Sequence, residues 1–526
     1  MKNKTILFNM IVFVAILIFL NLVSLSVFTR IDLSKGKVYS LSKASKNTVR
    51  ELDDRLVIKA YFSKNLPGEY ADARRYTQDM LSEYQAYSRG RLRFEFIDPA
   101  NEETLKQEAQ KNQISPVSMR VVENDKLEIR EVYMGLAFLY QDKIESIPLI
   151  QNTRGLEYDI TSTIKRISAQ GLKKLAFFAP DEGQVIPQNP NMPGNEQFGT
   201  VRQMLMESYE LNEVDLSMEI DPGTSVLFFC GIKDSLSTEQ LYNLDQYIMK
   251  GGNVIFFQDR VDTDIQTQSA SLINSNIFDL FRHYGIRIKN NLVADAQCGQ
   301  VQIQRMQGIF RIATPVNYPF FPIVSNVNSE NLIVKNLDQI QMIFASEIDT
   351  TRTREDLDFE PLFYSTQYSG EALAPRFNIN VNQYMNQDLK KMFLDGPKVL
   401  AGIYTGTFRS FFGDQETYPE AVQETSSASI LLVPDREFIE DAGAAGIKGN
   451  LDFVLNATDY MASESTLIEI RSRETEFKPL KELSNPVRKT VKWLNILLPA
   501  ILMIVFGILR YRSELKKRKI IGDLYE

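Results

Sequence analysis

Residues Ile6 to Phe28, ILFNMIVFVAILIFLNLVSLSVF, run for 23 positions without a charge. As a helix rising ~1.5 Å per residue, such a run reaches about 35 Å, enough for the hydrocarbon core of a bilayer. It is too long for the core of a signal peptide and has no small-x-small cleavage site before Thr29-Arg30, so an uncleaved anchor is expected. Val491 to Leu509, VKWLNILLPAILMIVFGIL, gives a second expected span, with Trp493 at an interfacial position and with Pro499 and Gly507, which membrane helices tolerate. A basic tail follows, holding Arg510, Arg512, Lys516, Lys517, Arg518 and Lys519, while Lys2 and Lys4 mark the other end. Positive charge at both ends predicts both termini inside and residues 30–490 on the outer side. Asn9 and Asn21 in the first span and Asn495 in the second are costly in lipid unless they face a partner, which makes them candidate contacts within the membrane.

The 526 residues suffice for two or three cores, and the net charge of −8 includes the basic tail, so the remainder is more acidic still. That balance argues against nucleic acid as a partner. Two cysteines, Cys230 and Cys298, do not make a disulfide scaffold.

Hydrophobic periodicity divides the chain further. Residues 30–55 read as a connector in which Ser42 precedes a short helical run. Over 56–155 the order is strand (RLVIKAYFS), helix (Tyr70 to Ser88), strand (RLRFEFIDP), helix (Glu102 to Asn112) and then more strands. This βαβαββ order is thioredoxin-like, and Pro116 stands before a strand, where that fold often keeps a cis proline. No C-x-x-C occurs, so the scaffold is expected without its redox chemistry. Residues 156–474 alternate apolar strands (KKLAFFAP, TSVLFFCG, NVIFFQD, SASILLVPD) with amphipathic helices, which predicts a Rossmann-like or amidotransferase-like parallel sheet covered on both faces. A β-rich insertion is expected at about 290–423, a linker at 475–490, and the basic tail at 510–526. The predicted fold class is thus α/β and membrane-anchored, two soluble-type domains between two membrane helices.

Few residues invite chemistry. Gly251 and Gly252 follow a helix, whereas phosphate loops run from a strand into a helix, so the pair reads as a helix C-cap. Cys230 ends a strand where amidotransferase-like folds place a nucleophile, yet the chain holds one histidine, His283, on a separate helical segment. REDLDFE, with Glu355, Asp356, Asp358 and Glu360, lacks calcium-loop spacing and reads as a solvated loop. DAGAAGIKGN, Asp441 to Asn450, does not satisfy the Walker pattern, and Asn450 reads as an N-cap. Asn456, in N-x-T, falls in a predicted helix. No metal ligand set and no cofactor motif is found. Any small ligand would be met by loops at the carboxyl ends of the parallel strands, where Gly231, Asp234, Ser235, Asp259 and Asp264 lie.

The combination of KVYSLSKASKNTVRELDDRLVIKAYFS, LSTEQLYNLDQYIMKGGNVIFFQD, YPFFPIV, GNLDFVLNATDYM and LIEIRSRE resembles the GldG family, the gliding-associated auxiliary family of ABC transporters. The resemblance covers nearly the whole chain. It implies a non-catalytic, extracytoplasmic subunit at the bacterial inner membrane that accompanies a separate ATPase and a separate permease, without catalytic residues to carry over. A membrane-tethered enzyme using Cys230, or a tethered ligand-binding protein, is the alternative.

Overall fold

The computed structural model describes residues 40–464, apart from 65, 67, 101, 124–125, 151–152, 154, 169–171, 181–196, 308–309, 352–353 and 414–416. It also describes 13, 468, 470, 492, 506–508 and 510–515. The chain divides into two units, Met1–Glu476 and Phe477–Glu526, and of the second only short helical pieces are described.

The membrane-anchored fold class is corrected at this point. A span needs some 20 consecutive apolar residues in one helix, and among the described residues no helix is long and apolar enough to cross a membrane. Of the two runs that suggested spans, only Phe13, Lys492 and residues 506–508 are described, all helical and too few to form one. The two-span placement at the inner membrane, with both termini inside, is corrected with it. Asn9, Asn21, Asn495 and the 475–490 linker lie outside the described residues.

The N-terminal part of the first unit is a four-stranded mixed sheet. Leu56–Phe62 lies parallel to Leu92–Ile97 and antiparallel to Met134–Tyr140, which pairs in turn with Lys143–Ile147. Gly68–Tyr87 and Glu103–Lys111 are the helices between these strands, and the hairpin Val117–Glu123 with Lys126–Val132 follows them. Among the described residues the cis proline bond is Ala374–Pro375, so the bond before Pro116 is trans. The Lys43–Arg50 helix is more than a connector. Ser42 caps it, accepting from the Ser45 amide at 3.0 Å, and both Ser42 N–H and Ser45 Oγ donate to Glu157 of the Leu156–Ser168 helix at 2.7 and 2.6 Å. Leu41, Val49 and Leu52 then join the core formed by Leu56, Ile58, Phe138 and Ile160.

The larger sheet has eight strands. Glu210–Glu213, Lys174–Phe178, Thr224–Phe229, Asn253–Phe257 and Ile430–Val433 are neighbours in that order and all parallel. Val399–Gly406, Leu357–Tyr364 and Asn326–Val327 continue the sheet antiparallel. Within the region expected as a β-rich insertion these three strands extend the main sheet, while others, such as Cys298–Gln307 with Phe310–Val324, pair in sheets of their own. REDLDFE is corrected likewise: Leu357–Tyr364 is a strand, and Glu360 accepts from Asn328 and Asn331 at 3.1 and 2.9 Å.

Period-two alternation puts Phe177, Phe228, Ile255, Phe257, Leu431 and Val433 on one face, beneath the Gly199–Met206 and Lys448–Met461 helices. Phe178, Phe229, Phe256 and Leu432 point to the other, beneath Thr238–Met249 and Ile277–Tyr284. At the end of Thr238–Met249 the Gly252 amide donates to Tyr247 O and the Gly251 amide to Ile248 O, both at 2.9 Å, with Gly251 at φ +90°. These are the 6→1 and 5→2 bonds of a Schellman C-cap, so the glycines close a helix.

Candidate functional site

The parallel strands end on a common crest, the usual place for a ligand in an open α/β sheet. Thr224–Phe229 leads into Cys230 and Gly231, Asn253–Phe257 into Gln258 and Asp259, and Ile430–Val433 into Pro434, Asp435, Arg436 and Glu437. Because the last two strands are hydrogen-bonded neighbours, their terminal acids are brought together. Oxygens of Asp259, Asp435 and Glu437 lie within 4.8 Å of one another.

Backbone amides hold two of these acids. Asp259 Oδ1 accepts from the Arg436 N–H at 2.6 Å, while Asp435 accepts from Phe438 N–H at 2.9 Å and from Ile343 N–H at 2.6 Å. Asp259 is 6% exposed and Asp435 0%. Glu437 Oε2 is sealed from solvent and has no hydrogen-bond partner among the described residues. Burial raises all three carboxyls, Asp259 to about 7 and the others well above the usual range, and their mutual repulsion adds to it for Asp435 and Glu437. Arg436 attracts Asp259 and is shared with Glu440: its Nε stands 2.9 Å from Glu440 Oε1, and its guanidinium lies over the Phe198 ring. Lys233 Nζ binds Asp262 at 2.5 Å.

The neighbouring loop is built to fit closely. Gln258 is fully buried and clamps Ile232, accepting from its N–H at 2.9 Å and donating to its carbonyl at 2.9 Å. Gly231 has φ +74°, and a Cβ there would stand 2.5 Å from Phe257 O and 3.2 Å from Arg436 Cδ. Only glycine meets both conditions without a shift.

Of the residues that the sequence placed at this crest, the structure brings Asp259 and Gly231 against the acid cluster. Asp234 and Ser235 serve the next helix: the Asp234 carbonyl accepts from Ser275 Oγ at 2.9 Å, and Ser235 Oγ accepts from Asn276 N–H at 3.2 Å. Asp264 caps a hairpin turn, accepting from the Gln266 and Thr267 amides at 2.8 and 3.2 Å. Asp435 and Glu437 were missed, although Asp-Arg follows an apolar strand twice, in FFQDR and in LLVPDRE.

The other candidates separate. Cys230 is buried among the residues of one sheet face, whereas His283 belongs to a helix packed on the opposite face and is exposed, its ring edge-on to Phe411. The sheet stands between thiol and imidazole. No disulfide joins Cys230 to Cys298, and burial pushes the Cys298 thiol up to about 12. In the Asp441–Asn450 loop the Asp441 carboxylate accepts from Thr200 N–H at 3.1 Å, occupying a helix N-terminus from within the chain. Asn450 is corrected from an N-cap: the helix starts at Lys448, and the buried Asn450 amide instead accepts from Gln341 N–H at 3.0 Å and donates to Gln341 O at 2.8 Å. Asn456 is buried and donates to Ile333 O at 2.8 Å. Away from the crest, a cavity of about 590 Å³ beside the Leu156–Ser168 helix is lined by Asp159, Arg166, Met204, Glu207 and Leu455 among others.

The fold and crest thus define an open α/β domain whose crest is acidic and, among the described residues, carries no phosphate loop, preceded by a small mixed-sheet domain. Residues 149–457 match the family described as an ABC-type uncharacterized transport system, and the chain belongs to that auxiliary family. Residues 35–139 match a domain of unknown function. An uncharacterized protein of Borreliella burgdorferi (strain ATCC 35210) is 23% identical over 527 residues, covering 98% of this chain and 97% of its own. Among solved structures, the mmIFT52 N-terminal domain is similar at TM-score 0.31 and 10% identity, covering 55% of this chain and 97% of that one. The exo-beta-1,4-mannosidase Op5Man5 of Opitutaceae bacterium strain TAV5 gives TM-score 0.23 and 10% identity over 75% of this chain and 47% of its own. Neither structural likeness is close enough to bear on function.

Proposed function

We propose that the chain is a non-catalytic auxiliary subunit of an ABC transport system, of the GldG type, that binds and scaffolds beside a separate ATPase subunit and a separate permease subunit. The observation that carries this reading is the acidic crest. Three carboxyls held within 4.8 Å of one another stand where a nucleotide-binding α/β fold presents glycines and a helix N-terminus to phosphate. The paired glycines that could have formed a phosphate loop cap a helix instead. On this reading nucleotide chemistry belongs to another subunit, in keeping with a family of ABC-type transport systems. The enzyme alternative loses its base, because Cys230 and His283 lie on opposite faces of the sheet.

The test is affinity purification of the tagged full-length chain from its own cells. An ATPase and a permease of one ABC system are expected to co-purify, and the purified chain alone neither binds nor hydrolyses ATP. Recovery of the chain without either subunit after cross-linking, or ATP turnover that follows the chain through successive columns, overturns the proposal. Cys230→Ser leaves co-purification unchanged.

A further inference from the structure

We propose that Asp259, Asp435 and Glu437 form a binding site for one hard divalent cation of the magnesium, manganese or calcium class. The donor set is all oxygen, which such ions prefer, and contains no imidazole or thiolate to favour zinc or copper. The spacing of the three acids suits a shared ion. Oxygens around an ion at ~2.0–2.6 Å are separated by roughly 3 to 5 Å, and the three carboxylates place theirs within 4.8 Å.

A second observation points to a ligand independently of the clustering. Glu437 Oε2 is sealed from solvent and meets no donor among the described residues, a condition that leaves a carboxylate oxygen uncompensated. It faces two acids whose own positions are fixed by the amides of Ile343, Arg436 and Phe438. Such amide donors act as the outer support that holds metal ligands in place. Arg436 attracts Asp259 and Lys233 attracts Glu437, but each cation is shared with another acid. Arg436 is engaged by Glu440, whose Oε1 also accepts from Gln197 at 2.6 Å, and Lys233 is held by Asp262. A cation that displaces the protons of the cluster also occupies Glu437 Oε2, which meets no donor among the described residues.

The site also links two separated parts of the chain, since Asp259 lies 177 positions from Arg436, the residue between the other two ligands. Binding an ion that the unfolded chain cannot hold stabilises the folded state.

The experiment uses the full-length chain stripped with a chelator and dialysed, titrated calorimetrically with MnCl2, MgCl2 and CaCl2, with manganese uptake followed by electron paramagnetic resonance. One ion per chain is expected for at least one of the three metals, together with a rise in melting temperature on its addition. Glu437→Gln, at the rim of the cluster, is expected to weaken uptake by roughly tenfold or more and to abolish the metal-dependent rise while leaving the circular dichroism spectrum unchanged. Asp259→Asn is expected to behave alike, and if it does not fold, Glu437→Gln decides. Absence of uptake by the stripped wild-type chain at millimolar metal overturns the proposal and leaves a proton-sharing acid cluster. Uptake by Glu437→Gln equal to wild type overturns it as well.

Discussion

Tyr247 lays its ring where a side chain on Gly252 would have to go, so that a Cβ built there stands 2.5 Å from Cε1 and Cζ. One turn of helix and its cap are thus fitted to each other across five residues. Gly252→Ala must displace a ring that belongs to the core beneath the sheet, and is expected to destabilise the protein by about 1–3 kcal/mol. Gly251→Ala meets a different obstacle, φ +90° with Ser427 Oγ 2.7 Å from the new Cβ, and is expected to cost ~1–2 kcal/mol or more. Urea denaturation at unchanged m-value measures both. A neutral result at either position would show that the cap relaxes freely.

Asn450 holds the Ile340–Gln341 strand by both its amide atoms. Asn450→Ala leaves the part-buried Gln341 N–H and carbonyl without this partner, an expected loss of about 1–3 kcal/mol. Asn450→Asp keeps the acceptor and loses the donor, so it is expected to fall between wild type and alanine at neutral pH. Thermal unfolding of the three proteins gives the order.

Ser237 and Gln240 form a reciprocal capping box at the start of the Thr238–Met249 helix, with bonds of 3.1 and 3.0 Å. Ser237→Ala should lose roughly 0.5–2 kcal/mol, and Ser237→Asp, which restores the acceptor and favours the helix dipole, should recover most of it.

Lys59 reaches across from the Leu56–Phe62 strand to Glu108 of the Glu103–Lys111 helix at 2.5 Å, and Tyr61 OH donates to the same carboxylate at 3.1 Å. The Lys59 hydrogen bond holds the Glu108 carboxyl below its ordinary value of 4.5, against a smaller opposing effect of burial. A carboxyl depressed in the folded state adds stability above its unfolded value, and that stability is lost as pH falls through the folded value. Glu108→Gln is therefore expected to be less stable than wild type by up to about 1 kcal/mol at neutral pH, discounted for solvent screening. The gap should close progressively on acidification below 4.5. A gap that persists at low pH would assign the loss to packing.

Much of the element order was legible because periodicity reports burial directly. The helix read at Tyr70 to Ser88 is Gly68–Tyr87, and the Phe-Phe pairs of KKLAFF, VLFF and VIFF alternate between the two faces of one sheet. REDLDFE was misread because acidic residues on one side of a partly exposed strand look the same as those of a loop. Asn450 was misread because an asparagine near a helix start suits both a cap and a tertiary bridge, and only the neighbouring Gln341 distinguishes them. At the crest, Asp259 was accessible to reasoning from strand ends alone. Its partnership with Asp435 and Glu437 was not, since adjacency of the two strands depends on what the intervening chain does, and nothing local encodes that.

The pairing of Asn253–Phe257 with Ile430–Val433 also has a temporal meaning. Asn253 Oδ1 accepts from the Ser429 amide across 176 positions of chain, so the middle of the sheet is a seam that ribosomal synthesis cannot complete until the second strand has emerged. The intervening residues furnish three further strands of the same sheet, Asn326–Val327, Leu357–Tyr364 and Val399–Gly406, and once they have paired they shorten the effective loop that the seam must close. Closing a long loop costs conformational entropy before its contacts repay it. The carboxylates of Asp259, Asp435 and Glu437, contributed from both sides, come into being as a group only when that late event is over.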